Sequence, residues 1–180
     1  FSGKNSPRDY IEKFCLKENV KLLYEKCKIN IGPAECFRKA IAMSNGDVIF
    51  LSDHDDIWHQ DRVREAMLFH NHNDLVVVNG HKFKTNSDAT LVSSNKNNKI
   101  YQNIKLNIFK LILSNQIIGA TISLRGNIAR LLASKINFYP MHDWILVISF
   151  LVLNKKIKYI DQDLISYRRH EETFTGNKKN

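Results

Sequence analysis

Cysteine is scarce in this chain. Only Cys15, Cys27 and Cys36 occur, so at least one thiol stays unpaired, and none falls in a CxxC. That spacing argues against a disulfide framework and a structural zinc site, and it fits a reducing, cytoplasmic compartment. Long apolar runs are lacking too. The longest, Trp144 to Leu153, is about ten residues and holds Ser149, whereas a bilayer span needs about twenty. It is expected to be a buried helix rather than an anchor. No secretory signal pattern is present. Three further absences narrow the chemistry: there is no GxGxxG, no GxxxxGK[ST] and no nucleophile elbow around a serine.

What the chain does have is positive charge on an ordinary globular composition. Hydrophobic residues make up 43% and charged residues 25%, and the 180 residues suit one domain spanning 1–180. Lysine and arginine number 27 against 18 acids, a net charge of +9. Such an excess favours polyanionic partners: a nucleotide diphosphate, a phospholipid surface at the inner face of a membrane, a lipid-phosphate acceptor or nucleic acid. The basic residues are scattered and lack an interleaved aromatic pattern, which does not favour nucleic acid. Residues 166–180 form a basic C-terminal tail.

Patterning along the chain alternates between strands and helices. A short amphipathic helix is expected over Tyr10–Leu16 after Ser6-Pro7, and a strand over Val20–Tyr24. Turn residues Asn30 to Pro33 precede a helix over Ala34–Met43, ended by Asn45-Gly46. Val48–Leu51 and Leu75–Val78 are all-apolar, as expected of strands buried on both faces. A helix from Asp61 runs through Val63, Met67 and Leu68. The polar stretch Ser93–Lys99 predicts a surface loop. Further elements are a helix over Leu106–Leu113, a strand over Ala120–Leu124, helices over Asn127–Leu132 and from Met141, and a strand over Lys158–Asp161. The order predicts an α/β layer structure with a mostly parallel central sheet flanked by helices.

Three constellations carry possible chemistry. Asp53-His54-Asp55-Asp56 follows a buried strand directly, and ligands of open α/β sheets bind at the carboxyl ends of strands. Three carboxylates in four residues repel one another unless a cation or solvent offsets them. The turn therefore reads either as a site for a hard divalent metal or as a solvated turn capping the next helix. Asp143, in His142-Asp143-Trp144, reads as a helix N-cap or as a base that takes a proton from an attacking hydroxyl. Tyr167-Arg168-Arg169-His170 reads as a solvated basic face or as a flap whose arginines meet a diphosphate and whose histidine completes a metal shell.

Taken together, these pieces are similar to a known family. Asn30-Ile31-Gly32-Pro33-Ala34-Glu35-Cys36-Phe37, then Gly46 through Trp58, then Asn115 with Gly119, then His142-Asp143-Trp144, and finally Tyr167-Arg168-Arg169-His170 with Gly176 resemble the family 2 glycosyltransferases, rhamnosyltransferase-like branch. The resemblance runs from about residue 20 to 177 in the family's order and spacing. It implies a GT-A fold, a nucleotide-diphosphate sugar donor (rhamnose being one candidate sugar), a saccharide or lipid-linked acceptor, and inverting transfer assisted by Mg2+ or Mn2+ in cell-surface polysaccharide synthesis. Carried over by position, Asp53 contacts the nucleotide-sugar and joins Asp55 and His170 at the metal, and Asp143 is the acceptor base. Asp56, Trp58, His142, Trp144, Arg168 and Arg169 line the substrate.

The chain departs from the family's pattern in places. Cys36 stands where many relatives have asparagine, and His54 where glutamine is common. Relatives begin with a strand and a helix, followed by an acidic turn that grips the nucleoside, whereas this sequence starts at Phe1. A chain lacking that N-terminal unit is therefore expected, either as an enzyme or as a non-catalytic binding remnant. The sheet edge left behind would favour a homo-oligomer.

Overall fold

In the computed structural model of the chain, which describes residues 7–85, 91–93, 98–102 and 108–169, most of the expected helices and strands form, in an α/β structure. The chain divides into two compact units, Phe1–Ile31 and Gly32–Asn180.

In the first unit, helix α1 (Pro7–Lys17) opens on proline, whose missing N–H costs nothing in a first turn. An Arg8–Glu12 pair at 2.6 Å links its first two turns. The strand expected over Val20–Tyr24 does not form. Asn19 takes a left-handed φ of 53° after the helix, and the segment that follows has no regular structure. Val20, Leu23 and Tyr24 stay exposed, and the Arg8 guanidinium lies 5.1 Å from the Tyr24 ring centroid. Strand propensity needs a pairing partner to be realised, and this segment pairs with no strand among the described residues.

The second unit is built on a mixed sheet. Helix α2 (Gly32–Met43) leads to strand β1 (Val48–Phe50), the short strand β2 (Ile57–Trp58), helix α3 (Arg62–His70) and the long strand β3 (Leu75–Thr85). Strand β4 (Leu91–Ser93), helix α4 (Ile108–Leu113), a 3-10 turn at Gly119–Thr121 and strand β5 (Ile122–Arg125) follow. Helices α5 (Gly126–Lys135) and α6 (His142–Val152) precede strand β6 (Ile157–Arg169). The sheet order is β1-β5-β3-β6-β2, with β4 against β3.

Only β3 and β6 pair in parallel among the described strands; β1–β5, β3–β5, β3–β4 and β2–β6 are antiparallel. The expected mostly parallel sheet is thus corrected to a mixed one. Apolar runs such as Leu75–Val78 report burial on both faces, which they have, but carry no information on strand direction. Val48–Phe50 is only half-buried, because β1 is the edge of this order.

The helices show what covers the sheet. Leu146, Val147 and Phe150 of α6 are fully buried, as its apolar run predicts, and no helix among the described residues is long and apolar enough to cross a membrane. Helix α5 turns Ala129, Leu132 and Ala133 inward, and Arg38 of α2 donates to the Ala133 carbonyl at 2.7 Å. Helix α3 departs from its apolar pattern. Val63, Met67 and Leu68 are exposed, while Arg62, Ala66 and His70 form the buried stripe. Strand β6 extends through Arg169, so residues 166–169 of the basic stretch belong to the sheet. Residues 170–180 lie outside the described residues.

Candidate active site

Strand β1 delivers the chain to Leu51, whose buried amide bonds Ile122 of β5, and the acidic turn begins two residues later. Asp53 is held above the usual carboxylate range, first by burial and then by the like charge of Asp55, with His54 opposing. Asp56 is pushed up to about 6, again mainly by burial, with Asp53 and Asp55 adding to the shift. Its Oδ1 accepts the Arg168 amide at 2.9 Å, and its buried Oδ2 has no hydrogen-bond partner among the described residues. Arg168 also donates from Nε to the Asp55 carbonyl at 2.9 Å and lies 4.9 Å from the Phe83 ring. The turn is therefore clamped to β6 by one residue of the basic stretch.

Beneath the turn lies a residue that sequence reasoning missed. Arg62 is 1% exposed, its guanidinium sits 3.9 Å from the Trp58 ring centroid, and it donates to the carbonyls of Ala120 and Leu51. Burial lowers its pKa to about 10, and Asp56 opposes that shift. The signal in the sequence was an arginine at the head of the spacing Arg62, Ala66, His70, one face of a helix starting just after the acids.

The second cluster surrounds Asp143, at the start of α6. The carboxylate is 5% exposed, yet each oxygen is hydrogen-bonded. Oδ1 accepts from Asn115 Nδ2 at 2.9 Å and from the Trp144 amide at 2.7 Å; Oδ2 accepts from the Gly119 amide at 3.0 Å. Burial still wins over these bonds and holds the carboxyl above its ordinary range. His142 stacks on Phe37 with ring centroids 3.8 Å apart, and burial lowers its pKa to about 4. The neutral ring is thus packed face to face on Phe37, next to Asp143 in the chain. Gly119 is required there, because a Cβ would stand 2.5 Å from His142 Nε2. Trp144 is anchored by its indole N–H to the Leu111 carbonyl.

The fold thus gathers Asp53, Asp55, Asp56, Trp58 and Arg168 at one place and His142, Asp143 and Trp144 at another. Two tyrosines lie between them. Tyr101 is raised to about 12, chiefly by burial, and responds to both Asp143 and Tyr167; Tyr167 in turn responds to Asp53, Asp56 and Asp55. Arg169 lines a cleft of about 260 Å³ with Lys82, Phe83, Lys84 and Asn98. The expected third ligand, His170, lies outside the described residues.

Among the described residues no three carboxylate, imidazole or thiolate groups converge into a metal site. Two carboxylates with substrate phosphate oxygens are nonetheless a donor set that magnesium accepts. The raised Asp53 and the partnerless Oδ2 of Asp56 mark negative charge that the protein itself leaves poorly compensated. On those grounds the turn from Asp53 to Asp56 fits a hard divalent cation.

The solved structure of S. aureus TarS 1-349 in complex with UDP-GlcNAc superposes with a TM-score of 0.57 at 16% identity, covering 96% of this chain. This chain spans 48% of that one, about half its length. The likeness is one of fold, and the mixed sheet with flanking helices is the GT-A glycosyltransferase architecture. No curated protein sequence matches the chain. The sequence does match the family described as Glycosyl transferase family 2 over residues 2–132, a span that holds the acidic turn and ends before Asp143. With the turn in that span and the fold in agreement, the chain belongs to glycosyl transferase family 2.

Proposed function

We propose that this domain performs inverting transfer of a sugar from a nucleotide-diphosphate donor to a hydroxyl of a saccharide or lipid-linked acceptor. The observation that carries this reading is Asp143: a buried carboxylate fixed by three N–H donors and raised by burial. Three donors hold the group in one orientation, and a raised pKa makes it a stronger base than a solvated aspartate. Oδ2 accepts one protein hydrogen bond and so keeps a lone pair for an acceptor hydroxyl.

Asp53 and Asp55 would hold Mg2+ or Mn2+, which when bound offsets the charge that grows on a leaving diphosphate. Asp56 and Arg62 fix the turn, and Arg168 ties its backbone to β6. Arg169, beside Lys82 and Lys84, offers positive charge to a phosphate group. Asp143 takes the hydroxyl proton as the oxygen attacks, and a single displacement inverts the anomeric centre. The UDP-GlcNAc bound by TarS supports a nucleotide-sugar as the donor class, and the rhamnosyltransferase-like motifs make rhamnose the sugar to try first. The +9 charge suits a lipid-linked acceptor presented at a membrane in polysaccharide synthesis.

The test is calorimetry with a panel of nucleotide diphosphates in the presence of Mn2+, followed by donor turnover with and without acceptor saccharides. Metal-dependent binding with turnover supports transfer. Binding with no turnover by any donor would make the domain a binding module instead, and no binding at all would sink the proposal.

A further inference from the structure

Arg62 has the burial of a core residue and the chemistry of a surface one. Its side chain is buried, and two of its donors, Nε and Nη1, have no hydrogen-bond partner among the described residues. An apolar side chain of similar length would fill the same space without burying a charge. What the guanidinium adds is Nη2, which donates to two carbonyls at once, that of Ala120 and, at 3.4 Å, that of Leu51. The Trp58 ring, 3.9 Å away, packs against the group while it does so.

The two carbonyls belong to the two halves of the site. Leu51 ends the run out of β1, with its amide bonded to the Ile122 carbonyl at 3.1 Å, and Asp53 follows two residues later. Ala120 sits in the 3-10 turn Gly119–Thr121, next to the glycine whose amide donates to Asp143 Oδ2 at 3.0 Å. Other side chains brace this turn. The Ile118 amide donates to the Tyr101 hydroxyl at 2.8 Å, and that hydroxyl lies 2.9 Å from Thr121 Oγ1. The Thr121 hydroxyl donates to the Ile118 carbonyl at 2.7 Å. Asn79 fixes Tyr101 in turn, accepting from its amide and donating to its carbonyl, each at 3.0 Å. Among the described side chains bonded to the turn, only Arg62 also bonds the strand exit that leads to the acids.

We propose that Arg62 is a positioning residue for the transfer reaction. By bridging Leu51 and Ala120 it fixes the acidic turn and the Gly119 donor to Asp143 relative to each other. The leaving diphosphate and the attacking hydroxyl are the two ends of one displacement, so the spacing of the groups that hold them governs its rate. Arg62 acts through the backbone groups it holds and not by contact with the substrate. The kinetic consequence rests on the transfer reading, whereas the placement of the turn does not.

Two variants test this by NMR and kinetics. Arg62→Met keeps most of the length and removes the donors; Arg62→Lys keeps the charge and loses the fork. In folded Arg62→Met the Gly119 amide signal should shift and exchange with solvent about tenfold faster or more. The Asp143 carboxyl, followed through its 13C signal against pH, should titrate higher than in the wild type, because a weakened Gly119 bond favours the charged form less. Donor turnover should show kcat reduced by about 10- to 100-fold in protein shown to be folded, with the donor KM within about threefold. Arg62→Lys should fall between wild type and Arg62→Met, and it carries the test alone if Arg62→Met does not fold. A folded variant whose Gly119 amide and Asp143 titration match the wild type would overturn the proposal. Signal changes of equal size throughout the core would do so as well, since they would make Arg62 a filler. Wild-type kcat in a variant whose Gly119 amide has moved would be equally fatal. If the wild type transfers no sugar, the transfer reading fails with the kinetic role, and the NMR signals still decide whether Arg62 places the turn.

Discussion

Asp143 and the Asp53–Asp56 turn both hold carboxyl groups above their ordinary range, yet they are built in opposite ways. Around Asp143 the protein supplies three N–H donors and no neighbouring acid, so the shift comes from burial alone and the geometry is rigid. In the turn burial acts first, Asp55 then raises Asp53 and both raise Asp56, whose Oδ2 has no partner among the described residues; opposition comes from His54 on Asp53 and from the Arg168 amide and Arg62 on Asp56. The first is a group finished by the protein. The second has negative charge left over, and its natural complement is a cation. On the proposed reading, that difference in satisfaction separates a carboxylate held as a base from acids that would take a metal.

The sharpest way to break this contrast is Asp143→Asn. It keeps the volume and removes the base, so donor turnover should fall by about 100- to 10,000-fold while the nucleotide-diphosphate Kd stays near wild type. An unchanged rate would remove Asp143 from the chemistry. Gly119→Ala comes next. The new Cβ must displace His142 and the wall beside Asp143, so denaturant unfolding should show a loss of about 1–3 kcal/mol, with turnover reduced as well.

Asp55→Asn is expected to act on the other region with the opposite sign. Mn2+ affinity measured by calorimetry should drop, yet without metal the variant should be at least as stable as the wild type, because a like-charge neighbour of Asp53 is gone. A clear loss of metal-free stability would show that the turn is already compensated. The smallest effect is in pH dependence. Asp56 titrates near 6 folded against 3.8 unfolded, so the folded state holds more protons between those values, and stability from this group falls as pH rises through the window. His142 titrates near 4 folded against 6.5 unfolded, so the unfolded state holds more protons, and stability rises with pH across the same window. Unfolding midpoints between pH 4 and 6.5 should therefore climb more steeply in Asp56→Asn and fall with pH in His142→Phe, relative to wild type.

Much of the site's composition was legible. Acids placed directly after an apolar strand marked the turn, and Asp143 at the head of an apolar helix marked the second cluster. Asn115 and Gly119, which have no local reason to accompany Asp143, were visible only through family resemblance; the structure shows them donating to its two oxygens. Arg62 escaped because an arginine at a helix start reads as solvated. Its carbonyl partners at Leu51 and Ala120 and the Trp58 ring come from three separate stretches of chain. The Val20–Tyr24 strand was misread for the converse reason: its propensity was real, but it has no strand partner among the described residues.

By itself the sequence determined what is local: helix and strand periodicity, the apolar interior, the run of acids and the excess of positive charge. These follow from chain geometry and side-chain chemistry a few residues apart. Strand direction, the mixed sheet, the burial of Arg62 and its bridge from Leu51 to Ala120 were decided only by tertiary structure. Each depends on hydrogen bonds and packing between residues distant in sequence. No local pattern records those contacts.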